Sequence, residues 1–127
     1  MNLLLDTHTF LWFSDDNKKL SKNAKSLISD TENNCFISIG SFWEMAIKIS
    51  LKKLKLKMDF KQMLEEIKKY DFMLLPIDFE HTVELTFLEF HHRDPFDRLL
   101  ISQAKVENLP ILSIDEIFDK YNVNRIW

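Results

Sequence analysis

Four acidic residues stand far apart in the chain, each where a short apolar run meets a helix-like segment. They are Asp6 after LLL, Glu44 in SFWEMAIK, Asp97 in HRDPFDRLL and Asp115 after ILSI. Carboxylates that converge at the ends of strands supply the oxygen ligands of a hard divalent cation. Four of them within a few ångströms repel one another, and a cation, or protonation of one member, is the least costly relief.

Three of the four also have an ordinary explanation. Asp97 is the N3 residue of a helix capped by Asp94, where the helix dipole favours a negative side chain. Asp115 suits the N-cap of a short helix, and Glu44 can pair with Lys48 one turn later. Asp6 has no such task, because it directly ends an apolar strand.

The surrounding elements must bring these residues together. Asn2 to Asp6 reads as a buried strand, and HTFLWF starts a short helix that ends in the polar stretch Ser14 to Lys19. Ser21 caps a helix through about Thr31. Asn34 to Ile39 suits a strand, and a helix from about Ser41 carries Phe42, Met45 and Ile49 as its apolar stripe, with Glu44 near its start. Asp59 caps a helix through Tyr70, FMLLPI is a strand, and Asp78 caps a helix to about Phe90. Asp94 followed by Pro95 marks the start of a helix through Glu107, since proline at the first helical position loses no needed hydrogen bond. PILSI, a short helix from Asp115 to Tyr121, and a last strand in NRIW complete the chain.

Apolar strands alternating with helices predict an α/β fold with a mostly parallel central sheet covered on both faces. In open sheets of that kind ligands gather outside the carboxyl ends of the strands, so the four scattered acids can meet.

Composition bounds the rest. The 127 residues, 46% hydrophobic and 13% aromatic, are enough for one core and are expected to form a single domain over 1–127. One glycine, Gly40, and three prolines leave no flexible linker, P-loop or dinucleotide fingerprint. A single cysteine, Cys35 in CFISI, excludes a disulfide framework and a zinc cluster. No run approaches the roughly 18 to 20 apolar residues of a membrane span, so a soluble cytoplasmic protein is expected. The net charge of -3 conceals a basic stretch of Lys48, Lys52, Lys53, Lys55, Lys57 and Lys61, and a phosphate backbone responds to such local charge.

Taken in order, LLLDTHTFLW, SIGSFWEMAIK, HRDPFDRLLISQA and LSIDEIF span nearly the whole chain and resemble the PIN-domain nucleases. The likeness is greatest to the VapC-like toxins of prokaryotic toxin–antitoxin pairs, and HRDPFDRLLISQA is its most specific piece. The resemblance implies a three-layer α/β/α fold and Mg²⁺- or Mn²⁺-dependent endonucleolytic cleavage of RNA. It further implies that Asp6, Glu44, Asp97 and Asp115 are the catalytic and metal-binding residues, Asp6 being central. A homodimer and a cognate antitoxin lying across the acidic cleft are implied as well. The first motif reads DTH where many relatives read DTN, so His8 replaces an amide.

Around that set, Ser38, Ser41 and Ser113 can hydrogen-bond a ligand or a phosphate oxygen, or act as ordinary caps and turn residues. Asp94 is a cap that lies one turn before Asp97 and can approach the cation as a more distant acceptor. His91, His92 and Arg93 fall at the rim, where Arg93 can meet a phosphate, and Lys48 can hold Glu44 or contact substrate. Phe10, Trp12 and Trp43 are candidates for an antitoxin groove. A haloacid-dehalogenase-type phosphotransferase needs an acid where His8 stands. A receiver domain needs adjacent early acids and a late lysine, absent in that form. The remaining alternative is a non-catalytic binding or structural domain on the PIN scaffold.

Overall fold

Leu3, Leu4 and Leu5 are fully buried in a computed structural model that describes residues 1–127. Because strand side chains alternate, these three neighbours enter two different cores. Leu3 and Leu5 join Phe10, Ile37, Met45 and Leu112 on one face of the sheet, while Leu4 joins Leu100, Ile101, Ile111 and Phe118 on the other. A strand buried on both faces belongs at the centre of a parallel sheet.

The elements run β1 (Asn2–Leu5), α1 (Thr7–Ser14), α2 (Lys22–Ser29), β2 (Asn34–Ser38), α3 (Ile39–Ser50), α4 (Met63–Lys69), β3 (Met73–Leu75), α5 (Phe79–Leu85), α6 (Pro95–Glu107), β4 (Ile111–Leu112) and β5 (Arg125–Ile126). Two 3-10 turns, Phe60–Gln62 and Glu116–Lys120, are interposed. The sheet order is β3-β2-β1-β4-β5 and every pairing is parallel, so the expected mostly parallel sheet is wholly parallel. Helices α1 to α4 feed the first core through Phe10, Ala24, Ile28, Met45, Met63 and Ile67. Helix α6 and the turn after β4 feed the second through Leu100, Ile101, Ala104 and Phe118. Three layers result, as the resemblance implies. No helix is long and apolar enough to cross a membrane.

The strand order positions the site. From β1 the chain winds outward through β2 to β3, then returns to lay β4 against the opposite side of β1. The reversal opens a crevice at the carboxyl ends of β1 and β4, where Asp6 and Asp115 follow their strands.

Local chemistry sets the helix ends. Ser21 accepts from the Ala24 N–H at 3.0 Å, and Asp94 accepts from the Phe96 and Asp97 N–H groups at 2.7 and 3.3 Å. Helix α6 ends at Asn108, whose φ of 53° is the left-handed conformation of a C-terminal stop. Helix α3 starts earlier than expected, because Ser38 rather than Ser41 is its cap and accepts from the Gly40 N–H at 3.0 Å. Glu44 therefore lies more than a turn inside the helix. Gly40 marks a close crossing, since a Cβ there would stand 2.4 Å from Leu99 Cδ2 of α6.

Helix α5 ends at Leu85, short of the expected Phe90. The Arg98 guanidinium donates to the carbonyls of Glu89 and Leu88 at 2.8 and 3.3 Å, and Tyr121 Oη accepts from the His91 and His92 N–H groups at 3.0 and 2.6 Å. These tertiary bonds replace helical ones and hold the passage into α6. Cys35 is buried and unpaired, and burial pushes its thiol up to about 11, as suits an inert core residue.

Candidate metal centre

Asp6 leaves β1 with its N–H bonded to the Leu112 carbonyl of β4 at 3.1 Å, so the residue is fixed by both central strands. Its buried Oδ2 accepts from Ser113 Oγ at 2.7 Å, and the same hydroxyl oxygen accepts from the Asp115 N–H at 3.0 Å. One serine thus couples the two strand ends. Thr9 Oγ1 donates to Leu112 O at 2.9 Å and anchors the first turn of α1 beside them.

Glu44 reaches the same region from α3. Thr7 Oγ1 donates to Glu44 Oε1 at 2.9 Å and lies 2.8 Å from Ser41 Oγ, while Lys48 Nζ donates to Glu44 Oε2 at 2.7 Å. That bond to Glu44 raises the Lys48 pKa. Glu44 is only 5% exposed, and these neighbours orient both of its oxygens.

Asp97 comes from the first turn of α6. Burial pushes its carboxyl up to about 7, and the negative charges of Asp6, Asp94, Glu44 and Asp115 push in the same direction. Asp6 is also raised, by burial first and by Glu44, against the opposing effects of the Ser113 bond and His8. The four acids named by sequence therefore act on one another electrostatically.

His92 is the residue that sequence reasoning undervalued. It lies beside the acidic centre, where its place ahead of α6 puts it, but it is buried there, and its Nε2 lies 2.7 Å from Asp115 Oδ2. Its Nδ1 is 3.2 Å from Tyr121 Oη, which already accepts two backbone N–H groups. The Tyr121 proton is thus directed to Nδ1, leaving Nε2–H to donate to Asp115. Ligand atoms of His92, Asp97 and Asp115 all lie within 4.8 Å of one another.

The remaining candidates separate by what they touch. Ser41 and Lys48 contact the Glu44 network and Ser113 contacts Asp6, whereas Ser38 is a buried helix cap. Asp94 caps α6 and adds its charge to those felt by Asp97 and Lys48. Arg93 is exposed next to them. Phe10 is fully buried against Phe42 and Phe72, which removes it from any surface groove. Trp43 packs edge-on to Phe96, and Trp12 packs on Trp127 and His8, so the three aromatics do not share one groove.

A family model described as "PIN domain" matches residues 3–124. The chain belongs to the PIN domain family. No curated protein gives a significant match. Among solved structures, the chain is similar to VapBC2 from Rickettsia felis bound to a promoter DNA fragment, with a TM-score of 0.73, 17% identity, and coverage of 100% of this chain and 99% of that one. It is also similar to FitAcB from Neisseria gonorrhoeae, with a TM-score of 0.67, 17% identity, and coverage of 98% and 96%. FitAB bound to an IR36 DNA fragment gives a TM-score of 0.66, 18% identity, and coverage of 98% and 93%. At these identities the likeness establishes the fold.

The donor set of this PIN domain fits a hard divalent cation: it consists of carboxylate oxygens, and the His92 imidazole, with both nitrogens engaged, orients Asp115 from behind. Carboxyls that raise one another's pKa gain most from a dication. A second cluster, Asp78, His81 and Glu107, lies at the junction of α5 and α6. There His81 Nδ1 accepts from the Asp78 N–H at 2.9 Å and Nε2 lies 2.9 Å from Glu107 Oε1, so both ring nitrogens are already engaged in joining the two helices.

Proposed function

We propose that this PIN domain is a Mg²⁺- or Mn²⁺-dependent endoribonuclease, acting in the cytoplasm as the toxin of a toxin–antitoxin pair. One observation carries the reading. Asp6, Glu44, Asp97 and Asp115 gather at the crevice between β1 and β4, where burial first, and then the charges of the other acids, push the Asp97 carboxyl up to about 7.

Bound cation would offset the carboxylate charge, lower the pKa of an attacking water and stabilise the leaving oxygen. The protein's part is to hold the donors in place beforehand, which removes reorganisation from the reactive step. Ser113 fixes Asp6, Thr7 and Lys48 fix Glu44, His92 fixes Asp115, and the first turn of α6 fixes Asp97. Lys52, Lys53 and Lys55 are exposed and offer positive charge to a phosphate backbone.

An antitoxin partner and a homodimer belong to the same proposal. The DNA-bound VapBC2 and FitAB structures support a two-component assembly for this chain. The surface also exposes Phe79, Phe87 and Phe90 at 82%, 77% and 82%, and apolar exposure of that size favours association.

The test is cleavage of labelled RNAs of mixed sequence by the purified protein with Mg²⁺, Mn²⁺ or EDTA, beside a folded Asp6→Asn variant. Metal-dependent cleavage that Asp6→Asn abolishes is the expected result. No cleavage, together with no rise in melting temperature on adding metal, would leave a non-catalytic PIN scaffold as the better reading.

A further inference from the structure

A groove leaves the acidic centre along α1. Its first part, about 170 Å³, is bordered by Thr7, His8, Leu11, Glu44, Lys48 and Lys53. It shares His8 and Leu11 with a larger cavity of about 240 Å³, whose walls include Trp12, Leu54, Leu56 and Met58. The cavity beside Glu44 therefore adjoins an apolar pocket that has an indole wall, with His8, Leu11 and Leu54 lining both. His8 and Trp12 lie one helical turn apart with ring centroids at 5.8 Å, and Trp127 braces Trp12 edge-on at 6.1 Å. His8 belongs to both ends of the path, since it lines the cavity beside Glu44 as well as the one that holds Trp12.

The rim of the groove carries lysines. Lys48 is paired with Glu44 and Lys57 with Asp15, but none of the ion pairs in the structure takes Lys52, Lys53 or Lys55. A purely apolar peptide anchor would leave these charges unanswered. Single-stranded nucleic acid answers both features, because successive phosphates meet the lysines while a base stacks on the aromatic wall. Asp15 and Asn17 also line the larger cavity and present hydrogen-bonding groups to a base edge.

We propose that the His8–Trp12 pocket is a binding site for an unpaired nucleobase of an RNA strand, next to the phosphate held at the acidic centre. The proposal rests on the nuclease reading for its substrate class. It adds a subsite outside the four acids and assigns His8 to the substrate path.

The test is fluorescence anisotropy of a labelled single-stranded oligoribonucleotide of mixed sequence, titrated in EDTA with the full chain carrying Asp6→Asn. Adding Trp12→Leu is expected to weaken binding about 5- to 150-fold, the range for loss of one stacked base. The slope of log affinity against log salt should stay unchanged. Lys53→Gln and Lys55→Gln should instead each reduce that slope by about 0.7. His8→Ala, at an exposed position, gives an independent reading should Trp12→Leu fail to fold, and it too is expected to weaken binding without altering the slope.

Unchanged affinity in folded Trp12→Leu and His8→Ala, or no RNA binding at all, would overturn the proposal. So would a Trp12→Leu variant that keeps RNA binding and loses its protein partner, because the pocket would then be a peptide site. The two readings fail separately. Trp12-dependent binding without metal-dependent cleavage keeps the pocket and removes the nuclease, whereas cleavage with an unaltered KM in Trp12→Leu does the reverse.

Discussion

His92 donates from Nε2 to Asp115 Oδ2 at 2.7 Å, and Tyr121 on the far side of the ring sets the tautomer that makes this possible. The arrangement is a carboxylate held by a histidine that is itself held. Partners behind a ligand typically change metal affinity or activity by about 10- to 100-fold when removed. His92→Ala is therefore expected to weaken Mn²⁺ binding by that factor in a calorimetric titration, with the fold retained by circular dichroism. An unchanged affinity would mean that Asp115 is oriented without His92.

Asp97 supplies a pH dependence whose sign can be worked out. Its carboxyl is raised from 3.8 to about 7 in the folded protein, so between those values the folded state keeps a proton that the unfolded chain has released. Stability from this group therefore falls as pH rises from about 4 to 7 and levels off above. In EDTA, Asp97→Asn should gain melting temperature relative to the parent protein as pH increases from 5 to 8. Added Mg²⁺ should reduce that advantage. A difference between the two proteins that stays flat with pH would show that Asp97 is not raised.

The sequence made most of this arrangement legible where the signal is local. Asp94 before Pro95, Ser21 before an amphipathic segment and LLL before Asp6 each specify an element by short-range chemistry, and the boundaries of α6 came out as expected. The pairing of Glu44 with Lys48 follows from one-turn spacing. What could not be read depends on contacts between distant residues. Ser113 reads in sequence as able to bond a ligand, but only the fold selects Asp6, 107 positions away, and only the fold brings His92 to Tyr121 across 29. Nothing in HHRD distinguishes the buried histidine from the partly exposed one. The early end of α5 has the same origin, because Arg98 and Tyr121 capture backbone groups that a helix would otherwise use.

Gly40 gives a test of how tightly the site is built. A Cβ at this position would sit 2.4 Å from Leu99 Cδ2 and 3.2 Å from Ser38 Oγ, both in contact regions of α3 and α6. Gly40→Ala is expected to cost about 1–3 kcal/mol through overpacking, read from urea denaturation. Since the nearest atom is a side-chain end, Leu99→Ala should relieve most of that cost in a double-mutant cycle. Additive losses would place the strain in the backbone instead.

His81 provides the contrast to His92. It is fully buried, and its two nitrogens join the start of α5 to Glu107 at the end of α6, away from the acidic crevice. Removing the ring leaves the Asp78 N–H without its acceptor and opens a void between two helices, a cost of about 1–3 kcal/mol for the lost polar partner and more for the cavity. His81→Ala should therefore lower the urea midpoint while leaving Mn²⁺ affinity and cleavage per folded molecule unchanged. His92→Ala should show the opposite pattern, with its larger effect on metal. If His81→Ala instead abolished metal binding with stability intact, the Asp78, His81 and Glu107 cluster would be a working site and the assignment of the two histidines would have to be exchanged.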